Sequence, residues 1–179
     1  MTRKTRTLDE HRRHHLEGLL AAIRFGAADR RDMDNHANCW FAYSHPDSYM
    51  LNGKGRRGLS LTPRTVPELR QALAIGIFVS REAARAVTEG STREGDRRIY
   101  EHAVPSNVLH AMSAALSPLD ETTLEASLRA NYRIGIVTRD EDVKLKAAGL
   151  RHRMPDRCDP TADPWARYRV VGIEAWDGR

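Results

Sequence analysis

Glu101 and His102 stand side by side in the run Tyr100-Glu101-His102-Ala103-Val104-Pro105. A second polar run, Asn131-Tyr132-Arg133, leads into Ile134-Gly135-Ile136-Val137-Thr138-Arg139-Asp140-Glu141. These side-chain types suit phosphodiester hydrolysis. That reaction needs an activated water, neutralisation of the charge building on the phosphoryl oxygens, and stabilisation of the leaving alkoxide. An imidazole with an ordinary pKa of about 6.5 is half deprotonated near working pH, which suits His102 to the part of general base. Glu101 and Asp140 or Glu141 offer hard oxygen donors, which favour magnesium or manganese over zinc. Glu141 already has a place as the partner of Thr138 in a capping box, so Asp140 is the better metal candidate. Asn131 can orient the imidazole through a hydrogen bond, and Arg133 or Arg153 can bind the scissile phosphate. Plainer roles exist for the same residues: Glu101 and His102 can simply end a strand, and Asn131 can close a helix.

The order of these residues resembles the HNH, or ββα-metal, nuclease family. There a D/E-H-x-x-P run supplies a metal-ligating acid and a general-base histidine. An asparagine opens the second strand, and a further ligand follows about nine residues later on the helix. Glu101-His102 with Pro105, then Asn131, then Asp140 correspond to those elements. The chain differs in carrying Asp140 or Glu141 where the family has histidine or asparagine, and in placing Ser106 to Ala130 inside the hairpin. The resemblance covers about a quarter of the chain. It implies a ββα-metal-like core, Glu101 and Asp140 as metal ligands, His102 as base and Asn131 as its positioner. A divalent metal, magnesium or manganese, would be the cofactor, and phage, mobile-element or restriction proteins are the company it suggests.

The elements that would position these residues can be read from spacing. Thr7 and Glu10 have capping-box spacing ahead of Leu16, Leu19, Leu20 and Ile23, one apolar stripe ending near Gly26. Residues 27–38 read as a polar loop. Cys39-Trp40-Phe41-Ala42-Tyr43 and Tyr49-Met50-Leu51 read as two strands about a Ser44-His45-Pro46-Asp47 turn. Thr65 and Ser80 mark helix starts around a short strand, Gly76 to Val79. Ile99 to Val104 reads as extended, Ser106 caps a helix, and Leu119 or Asp120 begins another that runs to Ala130. Tyr132 to Val137 is a strand, Thr138 caps a helix that Gly149 stops, and Arg169 to Ile173 reads as a last strand. The fold class expected is α+β, with helices packed around short antiparallel strands in a single domain, 1–179, with a basic arm at about 1–7.

A chain of 179 residues with 40% hydrophobic and 30% charged residues can bury a real core and is not compositionally disordered. Its net charge is +5, and the excess is uneven: 11 Lys/Arg against 7 Asp/Glu in residues 1–58, then 18 against 17. Attraction to a polyanion would therefore centre on the first third. There Asn52-Gly53-Lys54-Gly55-Arg56-Arg57-Gly58 combines glycines with three cations, Lys54, Arg56 and Arg57, that can neutralise phosphates, although its order is not that of a Walker loop. Arg151, His152, Arg153 and Arg157 form a second basic cluster. His11, His14 and His15 share a helical face, and His36, Cys39 and His45 are scattered donors. Neither set has the spacing of a zinc module; a solvated basic face is the plainer reading of the first, and an aromatic core with loop histidines that of the second.

Cys39 and Cys158 form no C-x-x-C pair, no apolar run approaches the roughly 20 residues that span a bilayer, and the start lacks a signal-peptide apolar stretch. A reducing cytoplasm, with no membrane partner, is the expected setting. Hydrolase-elbow, metalloprotease and dinucleotide-binding fingerprints are absent. Two functional expectations follow: a metal-dependent nucleic-acid hydrolase using Glu101, His102, Asn131 and Asp140, or a non-catalytic regulator or inhibitor whose basic third holds nucleic acid or a protein.

Overall fold

A computed structural model describes residues 7–26, 30–52 and 59–179. The basic arm lies, but for Thr7, outside the described residues, and so do Lys54, Arg56 and Arg57. The chain runs through α1 (Leu8–Phe25), α2 (Arg30–Tyr43), α3 (Val66–Ala74), β1 (Phe78–Val79), α4 (Arg81–Thr88) and β2 (Arg98–His102). It continues through α5 (Ser106–Ala114), α6 (Glu121–Asn131), β3 (Ile134–Thr138), α7 (Arg139–Ala147) and α8 (Ala166–Val170). The fold is α+β.

The helix starts follow the local signals. Thr7 with Glu10 and Thr138 with Glu141 close reciprocal capping boxes, and Thr65 and Ser80 each accept from the third residue of their helix. Asp120, with Thr123, opens α6 the same way. Ser106 is different: it is the first helical residue of α5, and the cap position before it is Pro105, which has no side-chain capping bond to offer.

Three strands form one sheet in the order β1-β3-β2. It is mixed rather than antiparallel: β1 runs parallel to β3, and β2 antiparallel to it, from Arg98↔Thr138 to His102↔Ile134. The outer edge of β1 is covered by the C-terminal segment, where Arg81 N–H donates to the Glu174 carbonyl and Trp176 N–H to that of Val79. Strand alternation splits the core in two. Val79, Tyr100, Ile134 and Ile136 join the larger cluster with α1, α2, α3 and α6, whereas Phe78, Ile99 and Val137 join the smaller one with Leu145, Tyr168 and Ile173.

Two expected strands are helical instead. Cys39 to Tyr43 finishes α2, which begins at Arg30 within the expected loop, and Tyr49 to Asn52 is a 3-10 turn. The β-prone side chains Trp40 and Phe41 are held by burial, at 2% and 8% exposure. Packing against α1 outweighs their weak intrinsic preference. The two helices approach closely enough that a side chain at Gly18 would strike the His36 ring. Arg169 and Val170 end α8 rather than start a strand, because Arg167 is drawn into the core by the contacts described below. Among the described residues no helix is long and apolar enough to cross a membrane.

Candidate functional site

The antiparallel register decides what the motif residues can do together. Glu101 and His102 are neighbours on β2, so they face opposite sides of the sheet. Glu101 points toward the smaller core, where its Oε1 accepts from Arg167 Nη2 at 2.5 Å. Arg167 is completely buried and spends its other donors on the carbonyls of Ala103 (2.8 Å), Leu150 (2.7 Å), Arg151 (3.1 Å) and His102 (2.5 Å). Burial pushes the Glu101 carboxyl up from its ordinary value, against the opposing pull of Arg167. The glutamate expected to hold a metal is thus the counter-ion of a buried arginine that ties β2, the α7–α8 connection and α8 together.

His102 lies on the other face, edge-on to Tyr100 and Tyr132. Its Nε2 is 3.2 Å from the Tyr132 hydroxyl, and that hydroxyl is 2.5 Å from Asn38 Oδ1. Asn38 Oδ1 only accepts, so Tyr132 donates to it, and His102 Nε2 must carry the proton that it donates to Tyr132. The nitrogen is a donor in a half-buried relay. Asn131 does not touch this relay. Its amide donates to the Ser127 carbonyl at 3.0 Å, and its buried Oδ1 has no hydrogen-bond partner.

Asp140 sits beyond the Arg98↔Thr138 end of the strand pair, whereas His102 is at the opposite end, four residues or roughly 13 Å along the strand. Its carboxylate lies against Gly95, where a side chain would collide with it, and pairs with Arg93 at 2.9 Å. Arg93 also binds Asp96 at 2.6 Å, and with Ser91 it holds that carboxyl down to about 2. Glu141, buried, accepts from Ser80 Oγ at 2.6 Å and from the Thr138 amide at 2.8 Å. Glu101, His102, Asn131 and Asp140 therefore make four separate structural contacts, with Glu101 on Arg167 and Asp140 on Arg93. No group of three or more His, Cys, Asp or Glu side chains among the described residues is placed to hold an ion.

The two arginines expected to bind phosphate separate as well. Arg153 donates to the Gly149 carbonyl at 3.0 Å and serves the end of α7. Arg133 follows α6 and bonds the Arg129 carbonyl at 2.9 Å, leaving its charge without a carboxylate partner among the described residues. It borders a cleft of about 380 Å³ together with Arg129, Trp40, Phe41, His45 and Tyr132. Arg129 lies over the Trp40 ring, 5.9 Å from its centroid, and pairs with Glu125 at 2.7 Å. Glu125 also meets Arg12 at 3.3 Å, so two guanidinium groups share one carboxylate. Burial, then Arg129, lowers the His45 pKa from its ordinary value. A neutral imidazole, two cations and an aromatic floor make a surface suited to an anion that carries an unsaturated ring.

Sequence reasoning named Arg133, and His45 only as a scattered donor, but missed Arg129 and Arg167. Arg129 and Arg133 have i, i+4 spacing at a helix end, a readable signal. Arg167 sits between Ala166 and Tyr168 in a run otherwise suited to burial, which marks it only weakly. No protein-family model matches the chain, and neither a curated protein nor a solved structure is similar enough to it to count as a match.

Proposed function

We propose that the protein is a non-catalytic binding protein whose partner is nucleic acid, held at the cleft bordered by Arg129 and Arg133. The observation that carries this reading is an aromatic-walled hollow bordered by Arg133, which has no carboxylate partner among the described residues, and by Arg129, which Glu125 pairs, while the carboxylates suited to metal chemistry are each closed by an arginine or by helix caps elsewhere. Phosphate contacts from such arginines supply affinity without sequence preference, and the net charge of +5 adds to it.

Binding of a labelled single-stranded oligonucleotide, followed by fluorescence anisotropy in EDTA, tests this. The expected result is salt-sensitive binding without metal. The Arg129→Gln/Arg133→Gln double variant should bind at least tenfold more weakly, with a log-log salt slope shallower by about 1.4, two contacts at roughly 0.7 each for a single strand. Absence of binding in EDTA at low salt, combined with magnesium- or manganese-dependent cleavage that His102→Ala abolishes, would overturn it in favour of the hydrolase.

A further inference from the structure

Four imidazoles gather where α1 lies against α2: His11, His14 and His15 on the first helix and His36 on the second. His15 Nδ1 and His36 Nδ1 are 3.2 Å apart, a hydrogen bond in which one nitrogen carries the proton and the other must lack it. Neither ring is loosely held. His15 is 8% exposed and stacks on Tyr43, while the His36 ring lies against Gly18, where a Cβ would collide with it. One added proton leaves an imidazolium donating to a neutral imidazole, and the bond survives. A second puts a donor on both nitrogens and a charge on both rings, so the bond is lost and two like charges meet where little water screens them.

We propose that the His15–His36 pair is a pH-sensitive latch between α1 and α2, closed while the two rings share at most one positive charge and opened when both are charged. On the elements packed around the pair, Arg12 of α1 already meets Glu125 of α6 at 3.3 Å, and Asp34 of α2 meets His110 of α5 at 3.3 Å. His11 and His14 bring imidazoles of the same charge type. Burial keeps the Tyr43 hydroxyl of α2, and that of Tyr49 in the 3-10 turn after it, protonated, and the Cys39 thiol is uncharged in acid. Asp32, one turn before His36, tempers the repulsion without restoring the lost hydrogen bond. An unfolded chain takes both protons near a pH of about 6.5, whereas the closed pair resists the second, so the α1–α2 contact is complete above that pH and weakens as pH falls below it. The latch needs no ligand and stands apart from the nucleic-acid reading. Because α2 also bears Trp40 and Phe41, its opening reaches the wall of the cleft.

Amide hydrogen exchange of the full chain at a pH of about 7.5 and of about 5, with rates corrected for their intrinsic pH dependence, tests the latch. The expected result is that the α1 segment from Leu16 to Ala22 loses at least tenfold more protection on acidification than α7 does. His15→Asn and His36→Asn, which set a neutral amide near the position of the missing Nδ1, should each erase that difference, whereas His45→Gln, outside the pair, should leave it. Histidine side-chain NMR of the parent protein supplies a reading that needs no variant: the two rings should titrate as a coupled pair, in two steps at least one pH unit apart. Equal loss of protection in α1 and α7 would overturn the latch. So would two rings that titrate together in a single step, or an α1 loss that persists in both asparagine variants.

Discussion

Replacing Glu101 by glutamine removes the one carboxylate among the described residues that pairs with a guanidinium wholly withdrawn from water. Arg167 is 0% exposed and the Glu101 side chain 17%. Breaking a buried ion pair by neutralising one partner costs about 3–5 kcal/mol. Four carbonyls still hold the guanidinium and glutamine keeps an acceptor oxygen, so the lower end, about 3 kcal/mol, is expected. With a urea m-value of about 2 kcal/mol/M, the unfolding midpoint of Glu101→Gln falls by roughly 1.5 M. Arg167→Met destabilises further, because several buried carbonyls lose their donor at about 1–3 kcal/mol each. Adding Glu101→Gln to Arg167→Met then changes little, since the charge it would have met is gone. Urea titrations followed by tryptophan fluorescence give all three values. A Glu101→Gln midpoint within about 0.3 M of the parent, paired with loss of manganese binding, would refute the structural role assigned to the glutamate; an m-value near 2 kcal/mol/M makes that margin about 0.6 kcal/mol.

Other expectations concern charge and the relay. Asp96 is held down to about 2, so its stabilising contribution is complete above its unfolded value of 3.8 and is lost as pH falls through 2. Acid titration of Asp96→Asn should lack that part of the slope. His45 has a lowered pKa, so the unfolded chain takes up its proton first and stability falls as pH drops below 6.5. His45→Gln should flatten that limb, and ligand phosphate should move the imidazole titration upward, as NMR would show. His102→Ala removes a ring packed between Tyr100 and Tyr132 and one end of a hydrogen-bonded relay. It is expected to lose about 1–3 kcal/mol of stability and to keep oligonucleotide affinity within twofold, measured by melting and anisotropy.

Local chemistry was legible where it acts locally. Capping pairs such as Thr7 with Glu10 and Thr138 with Glu141 are complete within four residues, so their spacing alone places the helix starts. The strands β2 and β3, with Gly149 ending the helix after them, follow from the same short-range signals. Trp40 and Phe41 were misleading because their β-preference is small beside the apolar area they bury against α1 and the sheet. The motif residues separate for a geometric reason. Adjacent strand residues diverge, so Glu101 and His102 can share a site only if the strand bends, and the straight ladder to Gly135 and Ile134 shows no bend. Glu101–Arg167 and His102–Tyr132–Asn38 each join segments distant in sequence, and no spacing rule announces such pairings.

Where partner and metal land on the molecule is the most direct test of the binding account. An NMR titration with resolved arginine and histidine side-chain signals, first with a single-stranded oligonucleotide and then with manganese, reports both. The account predicts that the oligonucleotide shifts Arg129, Arg133 and His45, and that manganese produces no localised broadening at His102 or Glu101. Broadening centred on Glu101, His102 and Asp140, with no response at Arg129 and Arg133, would contradict it.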